Sequence, residues 1–264
     1  MTKAYKNEYF PVEISERIAV VEFSEGHRHN MWSIPRMREL TRLVAMFDED
    51  EMVRAVVLFS GVGRSFGVGG DFHETSTFTG GEEIDEWIDH IANLYVACLR
   101  LDRPVIAAID GYAIGIGLQI ALTTDYRIGS DRCALKMPEF ELGIACTFGG
   151  FMLARSVGRG VMQNMLMSCE EWSADRALRD NLLQEVVPVD NLLSQALRRA
   201  RRCADFAPAG FRNTKPHLNA DYIEGLEQVR IAGKYAHRCA FAAGAPQQKM
   251  RKMLGMSVAD VSST

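Results

Sequence analysis

The chain has 264 residues, of which 47% are hydrophobic and 24% charged, and its net charge at pH 7 is -4. This length and composition fit a folded protein with a sizeable core and exclude a fibrous or disordered chain. The acidic balance argues against a nucleic-acid partner, because neutralising phosphates needs a basic surface. No apolar run approaches the roughly 20 residues of a membrane span, so we expect no membrane partner.

The amino terminus and the cysteines predict a cytoplasmic protein without a metal. Residues 1–8 are polar and charged, without the apolar core of a signal peptide. The six cysteines occur singly and form no Cys-x-x-Cys pair, which favours reduced thiols. His27 and His29 share the spacing of one strand face, but no nearby cysteine or acidic residue completes a metal site.

The first sixty residues predict β-structure, a helix and a buried strand. Residues 10–23 alternate apolar and polar side chains, as a hairpin with one wet face does. Ser33 is a candidate N-cap with Pro35 in the first turn of a helix. Residues 53–59 form a short apolar run typical of a buried parallel strand. The apolar face of the helix consists of Met37, Leu40, Leu43, Val44 and Phe47.

Two units of strand, glycine-rich loop and helix follow one another about fifty residues apart. In the first unit, strand 53–59 precedes glycines between 61 and 71 and an amphipathic helix over 82–101. In the second, strand 104–109 precedes the glycines of 111–117 and a helix that includes 118–122. This weak βα or ββα repeat predicts that both loops leave the carboxyl ends of strands, where ligands bind in α/β folds.

The remainder of the chain is mostly helical by pattern. We predict a turn at Gly149-Gly150, helices to residue 167 and over 174–183, a strand over 185–189 and a helix over 191–203. Pro208 predicts a break before a helical segment over 209–253. The chain is therefore divided into a core of residues 1–205 and a C-terminal helical oligomerisation region of residues 206–264.

Two glycine patterns suggest other chemistries that their surroundings disfavour. Gly63-Arg-Ser-Phe-Gly67 fits a serine nucleophile elbow at Ser65, but the residues that follow make a poor first helical turn. Glycines 111, 115 and 117 resemble the phosphate loop of short-chain dehydrogenases, yet no tyrosine has a lysine four residues on. A serine hydrolase and a dehydrogenase are minor alternatives.

Taken together, the two glycine loops resemble a known family. Residues 65–71 and 111–119, followed by Met137-Pro-Glu139, are similar to the oxyanion-hole segments and catalytic stretch of the crotonase (enoyl-CoA hydratase/isomerase) superfamily. The likeness extends over residues 10–205. It implies an α/β crotonase fold, a spiral of ββα repeats with a C-terminal helical trimerisation region. It also implies a coenzyme A thioester as substrate, no tightly bound cofactor, and a homotrimer or dimer of trimers.

The resemblance assigns the catalytic positions residue by residue. It implies that the N–H groups of Gly70 and Ile116 stabilise an enolate oxygen and that Glu139 is one of the two catalytic glutamates of hydratases. Gln119 stands at the position of the other glutamate. Because glutamine does not titrate, it cannot be a general acid or base, and simple hydration is in doubt.

One group within the superfamily shares this glutamine. Residues 86–89, 111–119, 137–139 and the C-terminal stretch around 226–230 and His237 resemble the carboxymethylproline synthases of carbapenem antibiotic biosynthesis. The resemblance implies decarboxylation of malonyl-CoA to an enolate, C–C bond formation with pyrroline-5-carboxylate, and hydrolysis of the thioester.

The same resemblance gives further residues binding roles. Trp87 is expected to form an apolar wall, His237 to bind a substrate carboxylate and Gln119 to contact the substrate, while Arg28 and Val68 are expected to bind coenzyme A. The alternatives are an enoyl-CoA hydratase or isomerase, a malonyl-CoA-type decarboxylase, and a catalytically silent subunit that only binds acyl-CoA.

Overall fold

A computed structural model describes residues 2–5, 7–24, 26 and 28–256. His27, one of the two histidines that share the spacing of one strand face, lies outside the described residues. The strands are β1 (Lys3–Tyr5), β2 (Val12–Ser15), β3 (Ile18–Glu22), β4 (Ala55–Phe59), β5 (Gly67–Val68), β6 (Val105–Ile109), β7 (Tyr112–Ile114), β8 (Tyr126–Ser130), β9 (Ala134–Lys136), β10 (Trp172–Ser173) and β11 (Glu185–Val187).

The helices lie between and after these strands. They are α1 (Ile34–Glu49), α2 (Phe72–Thr75), α3 (Glu82–Arg100), α4 (Ile116–Leu122), α5 (Glu139–Leu142), α6 (Thr147–Val157), α7 (Arg159–Ser168), α8 (Ala174–Arg179), α9 (Leu192–Ala204), α10 (Pro208–Ala242) and α11 (Ala245–Met253). A short 3-10 helix, Val189–Asn191, precedes α9.

The larger sheet forms the centre of the molecule. Its strand order is β1-β2-β3-β4-β6-β8-β11, antiparallel from β1 to β3 and parallel from β3 onward. Every residue of β4 and β6 is buried, because layers of side chains cover both faces, as parallel sheets require. One layer includes residues of α1 and α3, and the other consists of α9 side chains such as Leu192 and Ala196.

The smaller sheet, of order β10-β9-β7-β5, produces the repeat. Each turn of the chain passes through one strand of the larger sheet, one strand of the smaller sheet and a helical segment. The successive units are β4 and β5 with α2 and α3, β6 and β7 with α4, and β8 and β9 with α5. The predicted spiral of ββα repeats is confirmed.

Most predicted elements are present, with three corrections. Gly149 and Gly150 do not form a turn but lie inside α6. The helix expected over 174–183 ends at Arg179, and the C-terminal segment is divided between α10 and α11 at Ala243 and Gly244. Ser33 occupies the N-cap position of α1, but its side chain makes no capping hydrogen bond.

The long helix α10 is attached to the core by packing and by ion pairs. It packs along α3 and α6, and Arg238 pairs with Asp85 of α3 at 2.6 Å. Near its start, the buried Lys215 ammonium lies 2.8 Å from Asp125. The C-terminal helices thereby reach the cavity described below. The division at residue 205 stays a prediction. None of the described helices combines the length and apolar character needed to cross a membrane.

Candidate active site

The two glycine loops meet because their backbones pack without side chains between them. A Cβ on Gly117 would lie 2.3 Å from the carbonyl oxygen of Gly67, so the start of α4 touches the first loop directly. Gly115 has a φ of +54°, which glycine adopts without strain. A Cβ there would lie 3.3 Å from Glu139 Oε1. Glycines therefore let the loops and a carboxylate approach each other.

The N–H groups of Gly70 and Ile116 are available to a ligand at this junction. Trp32 N donates to Gly69 O at 2.9 Å and Asp71 N donates to Trp32 O at 3.2 Å, which fixes the loop on both sides of Gly70. Within the described residues, no hydrogen bond uses the Gly70 N–H. Ile116 begins α4, where N–H groups have no acceptor within the helix. Such donors are suited to stabilising a developing oxyanion.

Both residues line a cavity, which lies between the first-loop residues, α3, α4, α5, the start of α6 and the C-terminal helices. Seven of the eight predicted site residues line it, and only Arg28 does not. The seven are Val68, Gly70, Trp87, Ile116, Gln119, Glu139 and His237. The other lining side chains are mostly apolar and include Phe72, Ile88, Ile91, Leu142, Ile144, Phe148 and Met250.

Glu139 is the acidic residue of the cavity, and it is 8% exposed. Its Oε1 accepts a hydrogen bond from Gln119 Nε2 at 3.0 Å, while Oε2 has no partner among the described residues. Burial raises the pKa of Glu139 to about 7, although hydrogen bonds from its own backbone, Cys146 and Gln119 partly oppose the rise. Near neutral pH this carboxyl group can therefore both accept and release a proton.

Gln119 is held in one orientation by polar contacts on both sides. Its Oε1 accepts a hydrogen bond from the Tyr95 hydroxyl at 2.8 Å, and its Nε2 faces Glu139. Its Nε2 also lies 3.6 Å from Met137 Sδ. Gly149 of α6 packs close to the same atom, since a Cβ there would lie 3.2 Å from Nε2. The cavity therefore pairs one carboxyl group with an amide, which does not titrate.

His237 and Trp87 form part of the cavity wall. Their rings contact edge to face with centroids 5.7 Å apart. His237 Nδ1 lies 2.7 Å from Gly233 O, and burial lowers the pKa of His237 despite the facing carbonyls of Gly233 and Ala145. The ring is therefore neutral without a bound anion. Trp87 Nε1 and Thr147 Oγ1 are buried without a partner among the described residues, so both can bond to a polar ligand.

Comparison with known proteins agrees with this geometry. Residues 13–256 match the family described as enoyl-CoA hydratase/isomerase. The chain belongs to this family. A carboxymethylproline synthase from Pectobacterium carotovorum subsp. carotovorum is 37% identical over 243 residues, which cover 92% of this chain and 97% of that protein. A short-chain-enoyl-CoA hydratase from Clostridium acetobutylicum is 30% identical, with 79% and 80% of the two chains covered.

Solved structures of family members also superpose on the fold. The structure of ThnE from S. clavuligerus has a TM-score of 0.75 at 45% identity and covers 89% of this chain and 100% of its own. An enoyl-CoA hydratase/isomerase from Mycobacterium paratuberculosis has a TM-score of 0.85 at 19% identity and covers 93% of this chain and 98% of its own, which shows the shared fold. The chain is thus an enzyme of the crotonase superfamily.

Arg28 does not line the cavity. It lies in a second recess, which is more polar. It shares that recess with His29, Arg64, Ser65 and Arg132. The Arg132 guanidinium is paired there with the buried Asp110 carboxylate at 2.5 Å. The recess adjoins the first glycine loop, because a Cβ on Gly111 would lie 3.1 Å from Ser65 Cα.

Ser65 has a histidine neighbour but lacks the arrangement of a nucleophile. Arg28 Nε donates to His29 Nε2 at 3.2 Å, so the proton of the neutral ring is on Nδ1, which lies 3.1 Å from Ser65 Oγ. A ring in this tautomer donates to the serine and cannot take its proton. This arrangement therefore does not favour His29 as a general base for Ser65.

The sequence did not identify Tyr95, Cys146 or Thr147 as parts of the site. Tyr95 follows Trp87 by eight residues on α3, a spacing that places both side chains on one side of a helix. That spacing was the available signal for Tyr95. Cys146 and Thr147 lie at the start of α6, and the prediction of a turn at Gly149-Gly150 concealed this helix start.

Proposed function

We propose that this enzyme is a carboxymethylproline synthase-like catalyst, which forms a C–C bond between an enolate derived from malonyl-CoA and pyrroline-5-carboxylate or a related cyclic imine. The observation that carries the proposal is the pairing of Glu139 with Gln119 beside the two available N–H groups. This arrangement retains enolate stabilisation but lacks the second titratable group of a hydratase.

The first step is decarboxylation of malonyl-CoA. The bond between the α-carbon and the carboxylate breaks, carbon dioxide leaves, and the bonding electron pair forms the C=C bond of the enolate. The negative charge on the thioester oxygen is stabilised by the N–H groups of Gly70 and Ile116. No base is needed, because no proton is removed.

The second step joins the enolate to the acceptor. The enolate carbon attacks the imine carbon of the protonated imine, and the C=N electron pair moves to nitrogen. The apolar walls around Trp87 and Phe148 exclude water that would otherwise protonate the enolate. His237, Trp87 Nε1 and Thr147 Oγ1 supply the polar groups for the acceptor.

The third step hydrolyses the thioester. Glu139 takes a proton from water as the water oxygen attacks the thioester carbonyl, and the N–H groups stabilise the tetrahedral oxyanion. The coenzyme A thiolate leaves and is protonated, and the carboxylic acid is released. The pKa of Glu139, about 7, suits this role near neutral pH.

The coenzyme A portion of the substrate is assigned to the region next to the first loop. Val68 lines the cavity, and the positive side chains of Arg28 and Arg64 suit phosphate groups. We also propose a homotrimer or dimer of trimers, supported by the exposed apolar side chains of Ile231 and Tyr235 on α10, which are 74% and 75% exposed. Sedimentation measurements test this assembly.

The deciding experiment is incubation with malonyl-CoA, with and without pyrroline-5-carboxylate, followed by mass analysis of the products. We expect carboxymethylproline and free coenzyme A only when both substrates are present. Acetyl-CoA as the sole product in both cases indicates a decarboxylase, and hydration of crotonyl-CoA without use of malonyl-CoA indicates a hydratase. Failure to act on any thioester indicates a silent binding subunit.

A further inference from the structure

Three buried side chains are linked by hydrogen bonds at the cavity wall. Tyr95 of α3 donates through its hydroxyl to Gln119 Oε1 at 2.8 Å, and Gln119 Nε2 donates to Glu139 Oε1 at 3.0 Å. Tyr95 is fully buried and does not line the cavity, so its hydroxyl reaches a ligand only through Gln119.

The direction of these hydrogen bonds depends on the protonation of Glu139. An ionised carboxylate only accepts, so Gln119 must present its NH2 group to Glu139 and its carbonyl to Tyr95. A protonated Glu139 can donate, and the amide can then turn over. The Tyr95 hydroxyl donates in the first arrangement. In the second it would accept, and its own proton would lose its acceptor, because Gln119 is the one hydrogen-bond partner of this hydroxyl among the described residues.

We propose that Tyr95 is a positioning residue that acts through Gln119 to hold the amide NH2 group toward Glu139 and so to favour the ionised carboxylate that hydrolyses the thioester. The inference rests on the proposed function for the step that it controls. The effect of the Tyr95 hydroxyl on the protonation of Glu139 does not depend on which substrate is bound.

The groups around Glu139 support this assignment. Burial and the nearby Glu139 charge raise the pKa of Tyr95 well above its usual range, so the hydroxyl stays protonated while Glu139 titrates. Cys146, before α6, faces Glu139 as a thiol, because burial and the Glu139 charge raise the pKa of Cys146. His237 from α10 lines the same cavity and is neutral, and no lysine or arginine side chain of the described residues lines it.

Tyr95→Phe removes the hydroxyl and keeps the ring, whose edge-to-face contact with Phe148 has centroids 5.8 Å apart. Without the donor, the amide carbonyl is free to turn toward Glu139 and disfavour its charge. We expect the pKa of Glu139 to rise by about one unit, since hydrogen bonds to the charged form are worth shifts of this order. Thioester hydrolysis at pH 7 then falls roughly fivefold and recovers at higher pH, while decarboxylation is unchanged.

The test measures the protonation of Glu139 without substrate. Infrared difference spectra follow the carboxylic-acid C=O stretch of Glu139 during a pH titration, with Glu139→Gln assigning the band. A higher midpoint in Tyr95→Phe, but not in the control Tyr222→Phe outside the cavity, supports the inference. Equal midpoints in Tyr95→Phe and the unmodified enzyme overturn it, whatever the enzyme's substrate.

A double-mutant cycle tests whether Tyr95 acts through the amide. In a Gln119→Leu background, Tyr95→Phe should leave the pH profile of hydrolysis unchanged, because the connecting group is gone. An equal additional shift in that background would mean that the hydroxyl acts by another route and would refute the relay. If the titration shifts as expected while malonyl-CoA is not consumed by any form of the enzyme, the proposed function fails and the positioning role stands.

Discussion

Gln119 Nε2 donates to Glu139 Oε1 over 3.0 Å, and both side chains are more than nine-tenths buried. A charged Glu139 in this cavity is stabilised by an amide and not by a cation, since the side chains of the described residues that line the cavity include no lysine or arginine. In this environment the pKa of Glu139 is about 7. Near neutral pH the carboxyl group is therefore neither fully charged nor fully neutral. This intermediate state suits a residue that must both take and return a proton.

Gln119→Glu is predicted to move the enzyme toward hydratase chemistry. A second carboxyl group about 3 Å from Glu139 supplies the missing titratable group, and repulsion between the two charges raises the pKa of the pair. Crotonyl-CoA hydration, followed by loss of the enoyl absorbance, should increase above that of the unmodified enzyme, with its optimum at higher pH than thioester hydrolysis. No gain in hydration would mean that other parts of the cavity exclude this chemistry.

Gly70→Pro is predicted to reduce decarboxylation by roughly 10²–10³-fold, because proline removes one of the two oxyanion donors. The thermal unfolding midpoint shows whether the loop tolerates the ring. Ser65→Ala is the matched control in the same loop, and it should keep most activity. A folded Gly70→Pro enzyme with normal turnover would refute the oxyanion assignment, and loss of all turnover in Ser65→Ala would revive the serine hydrolase alternative.

His237→Ala is predicted to weaken use of the acceptor more than decarboxylation of malonyl-CoA alone. The imidazole lines the cavity beside Trp87, whereas the proposed site for the coenzyme A portion of the donor substrate lies next to the first loop. Steady-state assays with varied pyrroline-5-carboxylate measure the first effect, and release of carbon dioxide without acceptor measures the second. His217→Ala, at an exposed position of the same helix, is the control. Equal losses in both assays would remove His237 from the acceptor site.

The sequence predicted the elements with strong periodicity and missed those that depend on distant contacts. The helices around Met37 and Trp87 were recognisable because their apolar faces repeat over several turns. Strand β5 has two residues, too few for any period to be detected. The glycine pair at 149 and 150 predicts a turn, but Gly149 is helical. A Cβ there would lie 2.7 Å from Cys146 Sγ and 2.8 Å from Met137 Sδ, so the close packing requires glycine.

Some residues of the site were likewise predictable from the sequence, and others were not. Gly70, Ile116, Gln119 and Glu139 were placed by motif, and the structure brings all four to one cavity. Tyr95 belongs to the buried face of α3, and a pattern of apolar residues does not reveal which hydroxyl finds a polar partner. That information exists only once α3 and α4 pack together.

The stability of the enzyme is predicted to depend on pH through Glu139. Its pKa is about 7 in the folded protein against an ordinary value of 4.5, so the folded state binds the proton more tightly and stability falls as pH rises from about 4.5 to 7. Glu139→Gln removes this cost. The variant should be more stable than the unmodified enzyme by about 3 kcal/mol above pH 7, and the difference should disappear below pH 4.5. Urea unfolding at several pH values measures it.

Glu141→Gln, an exposed change on the same helix, provides the control for that series. A difference between Glu139→Gln and the unmodified enzyme that stays constant with pH would contradict a raised pKa at Glu139. The comparison does not depend on any substrate, so it tests the electrostatics of the cavity separately from the reaction.

Glu139→Ala is predicted to separate the steps of the proposed reaction. Loss of carbon dioxide needs only an acceptor for the enolate charge, which the N–H groups of Gly70 and Ile116 provide, so some decarboxylation should persist. Hydrolysis needs an activated water, and Glu139 is the only carboxylate among the described residues that line the cavity. Release of free acid should therefore slow by at least about 10²-fold, the usual contribution of a general base.

The product of the Glu139→Ala enzyme should accumulate as its coenzyme A ester. Mass analysis of a single-turnover reaction distinguishes this ester from the free acid and from acetyl-CoA. Glu141→Gln, an exposed change on the same helix, serves as the neighbouring control and should release free acid at the normal rate. Since water has no other carboxylate to activate it in this part of the cavity, release of free acid at the normal rate by Glu139→Ala would show that hydrolysis proceeds without a general base at this position.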